Sequence, residues 1–172
     1  MKEILIYGTG GHARVLADLA GACGLQVLAY FDDAAGGMPY STAFRPEVPL
    51  LCGIGNNKVR KLIAERSVHI FATLVHPTAV VAASAEVGKG SVVLAGAVLQ
   101  ASVQVGKHAV INMNAAVDHD VIVGDYVSVY PGAYIGGGAE IGEGAVIGPN
   151  ATVLRNAKVP SWTEVPPGAV FG

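Results

Sequence analysis

From Val75 onward an aliphatic residue returns every six positions without an insertion. The series is Val75, Val81, Val87, Val93, Leu99, Val105, Ile111, Val117, Val123, Val129, Ile135, Ile141, Ile147, Val153, Val159 and Val165. The residue four places after each is small or β-branched, from Ala79 and Ala85 through Val121 and Val127 to Thr163 and Ala169. A short fixed period of this kind is the signature of a parallel β-helix, whose repeats stack to bury a shared core. Three hexapeptides make one coil, so residues 18 apart lie above one another. Strand side chains alternate between the two faces. The aliphatic residue and the small residue four places on therefore point inward, and the residue five places on points outward.

Read in steps of 18, the outward positions separate three faces. One carries Val80, Val98, Ala116, Tyr134, Thr152 and Val170. A second carries Val92, Val110, Ser128, Val146 and Glu164. The third carries Glu86, Gln104, Ile122, Glu140 and Lys158, and is expected to be solvated. Apolar stripes on the outside of a solenoid usually mark an interface. Two adjacent stripes and one wet face predict a closed cyclic assembly with two different contact patches, and a homotrimer suits a three-sided prism.

The pattern ahead of the repeats is different. Ile4–Tyr7 reads as a buried strand, Arg14–Ala22 as a helix, and Gln26–Phe31 as a second strand. Residues 34–47 read as a loop, Val48–Cys52 as a third short strand, Asn57–Glu65 as a helix, and Ile70–Leu74 as a strand leading into the repeats. Strands alternating with helices predict a small parallel α/β unit. The expected organisation is a Rossmann-like domain over 1–74 followed by a β-helix domain over 75–172.

Composition removes several function classes. The formal charge of -2 gives no basic footprint for nucleic acid. Hydrophobic content of 52% and a mean hydropathy of +0.48 suggest a membrane protein until the spacing is read. No apolar run approaches the roughly 20 residues needed to span a bilayer. Met1-Lys2-Glu3-Ile4 leads directly into a strand with no signal peptide, and Cys23 and Cys52 are then expected to stay reduced. A cytoplasmic protein is the expectation.

Two places carry candidate chemistry. Gly8-x-Gly10-x-x-Ala13 stands between a strand and a helix, where glycines let backbone approach a phosphate at a helix N-terminus. Asp32 closes the second strand, where an acid usually meets a ribose or base. The competing reading is a tight strand-to-helix turn without a ligand. A nicotinamide dinucleotide is a poor candidate, because about 70 residues supply only one of the two βαβαβ halves it needs.

The other place is a corner of the prism, where one column reads Ala83, Ala101, His119, Gly137, Arg155 and the next Ser84, Ser102, Asp120, Gly138, Asn156. An imidazole with small neighbours, a carboxylate beside it and an arginine along the same edge suggest a proton acceptor in a groove. Arg155 would meet a phosphate there. A plain polar corner is the alternative. Metal binding is disfavoured, because consecutive Asp and His residues rarely converge on one ion. His76 and His108 are read as structural or solvated, and His69 carries no motif.

The ordered set Gly8-Thr9-Gly10-Gly11-His12-Ala13, Asp32-Asp33, Ile54-Gly55-Asn56-Asn57-x-x-Arg60, His76-Pro77, Asn112-x6-His119-Asp120-x3-Gly124-Asp125 and Pro131-Gly132-Ala133 resembles a bacterial group. These are the sugar acetyltransferases comprising sialic-acid O-acetyltransferases and nucleotide-aminosugar N-acetyltransferases. The resemblance covers nearly the whole chain. It implies a left-handed β-helix, against the usual right-handed crossover rule. It also implies acetyl-CoA as donor, a homotrimer and active sites between subunits. On this resemblance His119 would be the general base and Asp120 its orienting partner. Asn112 would line the site. Gly8, Gly10, Gly11 and His12 would hold nucleotide phosphates, Asp32 or Asp33 would meet base or ribose, and Asn56 joins the substrate-binding set. Gly137 would flank the pantetheine arm.

Two departures stand out. Ser128 takes the place of a second histidine that contacts the thioester in many members, and is assigned to the cofactor side with Gly137 and Arg155. The chain also reads Val170-Phe171-Gly172 where a CoA-contacting Gly-x-Pro-Ala segment begins in the family. The function expected is N-acetylation of a nucleotide-linked amino sugar. The alternatives are sugar O-acetylation and a non-catalytic trimeric scaffold that binds a nucleotide sugar.

Overall fold

The computed structural model describes residues 2–34 and 37–172. Met1 and the Ala35–Gly36 part of the expected loop lie outside the described residues. The N-terminal unit runs β1 (Lys2–Tyr7), α1 (Gly11–Ala22), β2 (Leu25–Phe31), β3 (Leu50–Cys52) and α2 (Asn57–Arg66). Its strands form a parallel sheet in the order β2-β1-β3. Ile4, Leu5 and Ile6 are inaccessible to solvent, as befits a central parallel strand covered on both faces.

The alternation is as expected, with differences at the ends. Helix α1 begins at Gly11 rather than Arg14, because Gly10 takes an extended cap conformation and the helix starts at once behind it. His12 therefore sits in the first helical turn. The expected strand at Ile70–Leu74 is divided. Phe71 makes a single bridge to Leu50, whereas Leu74–Val75 already pairs with Val92–Val93 of the solenoid. An apolar run cannot show where one sheet yields it to another.

The remainder is a parallel β-helix of three sheets. Sheet I stacks Leu74–Val75, Val92–Val93, Val110–Ile111, Ser128–Val129, Val146–Ile147 and Glu164–Val165. Sheet II stacks Val80–Val81 through Tyr134–Ile135 to Val170–Phe171, and sheet III stacks Glu86–Val87 through Ile122–Val123 to Lys158–Val159. Every pairing has the 18-residue register, as in Val110 opposite Val92 and Ser128. The core holds the two inward columns, among them Val93, Ala97, Leu99, Val103, Ile111, Ala115, Val117 and Val121. From Gly90 onward each corner turns through a left-handed residue three places after the aliphatic one. Glycine takes this place at Gly132 and Gly138, and asparagine or aspartate at Asn114, Asp120 and Asn150. These residue types tolerate positive φ best.

The outward stripes do not share one fate. Sheet II is open along its length, with Val80 62% and Val170 68% exposed. Sheet III is wet, as expected, and includes an exposed Ile122. The sheet I stripe is covered at Val92, Val110 and Ser128, which corrects the expectation of two exposed stripes. Val92, Val110 and Leu94 form one buried cluster with Ile4, Ile6, Ala13, Leu16, Leu19 and Leu51. The N-terminal unit of the same chain packs over that face. A periodic pattern shows that a face is apolar, not which partner covers it.

Candidate functional site

The corner between sheets II and III presents His119. Its Nδ1 stands 2.7 Å from Asp120 Oδ2. Asp120 has φ 61°, so one residue both turns the corner and holds the ring. A carboxylate is only an acceptor, so Nδ1 carries a proton, and in the neutral ring Nε2 is left with its lone pair. Both side chains are solvent-exposed. Gly137, one coil along, keeps Nε2 clear: a Cβ there would come within 2.9 Å of it.

Asp118 secures this corner from the other side. It accepts the His119 backbone N–H at 2.8 Å and the Tyr134 hydroxyl at 3.0 Å. Those two donors hold its carboxyl below the usual carboxylate range. Arg155 lies exposed further along the same corner column. The glycines Gly136, Gly137 and Gly138 make the edge narrow at the level of the imidazole.

The second group of predicted residues lies on the N-terminal unit. Gly8, with φ 107°, brings the loop so close to the next strand end that a Cβ would stand 3.0 Å from Gly53 O. Gly10 caps α1 without a side chain, leaving backbone N–H groups at the helix start. Asp32 Oδ2 accepts Thr9 N–H at 3.1 Å and Thr9 Oγ at 2.6 Å, and so fastens the glycine loop to the end of β2. Asp33 accepts the Tyr7 hydroxyl and the Tyr40 N–H, each at 2.7 Å, and pairs with Arg66. These contacts, led by the Tyr40 N–H, lower its pKa. Asn56 is the N-cap of α2, its side chain accepting Val59 N–H at 3.1 Å.

Between the N-terminal unit and sheet I lies a cleft of about 170 Å³ lined by His12, Gly55, Val110, Asn112, Ser128 and Tyr130. His12 Nε2 is buried without a hydrogen-bond partner. Burial first, and the nearby Arg60 charge second, push the His12 pKa down to about 4. Asn112 stands at the corner between sheets I and II, its Oδ1 accepting Met113 N–H at 2.9 Å. Ser128 is almost fully buried beneath α2, bonded to Arg60 and Asn57.

Within the chain the predicted residues thus fall into two groups. His119, Asp120, Gly137 and Arg155 share the corner between sheets II and III. His12, Asn112 and Ser128 share the cleft at sheet I, with the glycine loop and Asp32 and Asp33 beyond it. Ser128, which the sequence reading puts with the cofactor-side residues, is brought together with the cleft residues instead.

Sequence reasoning passed over Arg60, although it lies inside a quoted motif. Its signal was an Asn57-x-x-Arg60 spacing that puts both polar residues on the face of α2 that also buries Ile63. Asp118 and Tyr134 left no comparable trace, because they meet only through the 18-residue stacking.

The PglD N-terminal domain family matches residues 3–67, and the bacterial transferase hexapeptide (six repeats) family matches 102–137 and 123–155. The acetyltransferase domain of PglB from Neisseria gonorrhoeae superposes with a TM-score of 0.91 at 32% identity. That alignment covers 100% of this chain and 92% of that one. The chain belongs to the hexapeptide-repeat sugar acetyltransferases. Another member, PerB from Caulobacter crescentus, solved in complex with CoA and GDP-perosamine, is 31% identical with a TM-score of 0.90. It matches over 100% of this chain and 89% of its own. A UDP-N-acetylbacillosamine N-acetyltransferase from Bacillus subtilis is 36% identical over 113 residues, 55% of this chain and 52% of that protein. The match thus spans about half the length of that curated relative. In this hexapeptide-repeat acetyltransferase no helix among the described residues is long and apolar enough to cross a membrane.

Proposed function

We propose that this acetyltransferase transfers an acetyl group from acetyl-CoA to the amino group of a nucleotide-linked amino sugar, as a cytoplasmic homotrimer. The observation that carries the reading is His119, held at Nδ1 by Asp120 with Nε2 clear above Gly137. When bound, acetyl-CoA supplies the activated thioester. His119 Nε2 accepts a proton from the sugar amine as its nitrogen attacks the thioester carbonyl carbon. A C–N bond forms, the C–S bond breaks, and the proton passes from His119 to the departing thiolate. Asp120 stabilises the imidazolium between those two events. Asp118 and Tyr134 keep the His119 backbone in place.

The acceptor's nucleotide is read as lying along the Gly8–Gly11 loop, where helix N–H groups suit phosphate oxygens. Its amino sugar then reaches the cleft beside His12 and Asn112. Because His119 occupies a different corner of the protomer, a complete site on this reading joins the cleft of one protomer to the His119 corner of a neighbour. The open apolar stripe on sheet II supports such an association. Gly137 and its glycine neighbours leave room beside His119 for the narrow pantetheine arm.

The test is thiol release from acetyl-CoA with UDP-, GDP- and dTDP-linked amino sugars and free sialic acid, run beside His119→Ala. Turnover is expected with one nucleotide amino sugar and should fall at least about 10²-fold in the variant, since general acid–base groups contribute about 10²–10⁴-fold. A loss under tenfold removes His119 from its role, and turnover of sialic acid alone moves the enzyme to the O-acetylating branch.

A further inference from the structure

Arg60 is the largest side chain among the fully buried ones and only 1% exposed. A buried guanidinium normally faces a carboxylate, because an unpaired charge in a protein interior is expensive. Here every hydrogen-bond partner among the described residues is neutral. Nε donates to His108 O at 2.9 Å, and Nη1 donates to Ile54 O at 3.0 Å and Gly55 O at 3.1 Å. Nη2 donates to Asn57 Oδ1 at 2.9 Å, Tyr126 O at 2.9 Å and Ser128 Oγ at 3.1 Å. Burial pushes its pKa down to about 10, still far above neutrality, so the group stays charged.

These partners come from two separate parts of the fold. Ile54, Gly55 and Asn57 belong to the turn behind the glycine loop and the start of α2. His108, Tyr126 and Ser128 belong to the solenoid. Arg60 is therefore a bolt between the two units. Asn57 extends it by donating to Gly144 O at 3.1 Å and Ala145 O at 3.2 Å. The cleft has one wall on each unit: His12 and Gly55 on one side, and Val110, Asn112, Ser128 and Tyr130 on the other. Gly55 and Ser128, on opposite walls, are both direct partners of Arg60.

We propose that Arg60 is a positioning residue for the acceptor: by bolting the Ile54–Gly55 turn to the solenoid it fixes the width of the cleft that receives the amino sugar. Arg60 does not touch the sugar. It sets the distance between the wall that carries His12 and the wall that carries Asn112. Burial first, and the Arg60 charge second, keep His12 neutral, so that the unpartnered Nε2 meets a ligand as an imidazole rather than an imidazolium. This inference rests on the acceptor reading of the cleft given above.

Three variants test it. Arg60→Met removes the bonds and the charge, Arg60→Lys keeps the charge with fewer donors, and Lys61→Met removes a surface contact between the same two units, the 2.6 Å pair with Glu143. Kinetics with each substrate varied are read beside calorimetric titration of the nucleotide amino sugar without acetyl-CoA, and beside thermal unfolding. Arg60→Met is expected to raise the acceptor KM and Kd at least tenfold and to leave the acetyl-CoA KM within threefold. Arg60→Lys should fall between it and the wild type, and Lys61→Met should match the wild type within twofold. If Arg60→Met does not fold, Arg60→Lys carries the same comparison. A folded Arg60 variant whose acceptor KM and Kd stay within twofold of wild type overturns the proposal. So does an equal loss for both substrates, which a merely structural role would give. The binding arm needs no turnover. A wild type that binds the nucleotide sugar without releasing thiol therefore sinks the proposed activity, and the titration still judges Arg60.

Discussion

Single residues carry more than one duty in this chain, and the histidines show it best. His119 and His12 are both candidate site residues, yet their surroundings are opposite. His119 is exposed beside a carboxylate. His12 is half-buried near an arginine with its Nε2 out of solvent, and its pKa is pushed down to about 4. His108 shares that fate, stacked on Tyr126 and edge-on to Phe71, also with a pKa of about 4 caused first by burial. The linkage sign follows. Above the unfolded value of about 6.5 both histidines are neutral in either state, and their contribution to stability is whole. As pH falls from about 6.5 towards 4 the unfolded chain takes up two protons that the folded chain refuses, so stability declines. The expected result is a falling Tm across that window, flattened in His108→Asn, which keeps a residue suited to positive φ. Unchanged Tm from pH 6.5 to 4 in the wild type would contradict the assigned environments. The lowered carboxyls Asp33 and Asp118 act below this window.

At the scale of elements, α2 is the piece that joins the two halves. Its exposed side carries Lys58 and Leu62, and its buried side carries Asn57, Arg60 and Ile63. Asn56, expected from the resemblance to bind substrate, has a structural duty as the N-cap. Replacing it by alanine should cost about 0.5–2 kcal/mol of stability, measured by urea unfolding. Asn56→Asp should recover most of it. If Asn56→Ala leaves the unfolding midpoint unchanged and raises the acceptor KM, the ligand role outweighs the cap. The Asn57-x-x-Arg60 spacing was legible as a shared helix face. Its purpose was not, because the carbonyls of His108 and Tyr126 that complete it lie 48 and 66 residues away.

The whole molecule separates its candidate machinery. The cleft and the His119 corner lie at different edges of one solenoid, so a protomer alone holds half of the proposed site. A mixture of two impaired variants tests this directly. His119→Ala disables the corner, Asn112→Ala weakens the cleft, and refolding them together should give more activity than the sum of the two alone. No recovery in mixed assemblies would place the site within one protomer. A charge on the open stripe, as in Val98→Glu, should lower the mass seen by light scattering from three protomers to one of 17.5 kDa and abolish turnover.

The hexapeptide period by itself determined the solenoid, its register and its core, since inward and outward positions follow from strand alternation alone. It also puts His119, Gly137 and Arg155 in one column. The strand and helix alternation ahead of the repeats determined a parallel α/β unit, missing the start of α1 by a few residues where a cap rather than periodicity set it. Tertiary structure alone decided what covers each apolar face. It laid the N-terminal unit over Val92 and Val110, left Val80 and Val98 open, and buried Ser128 against Arg60. Local pattern fixes which side of a strand is apolar. The partner that meets it is chosen by contacts across long stretches of chain, which no short period encodes.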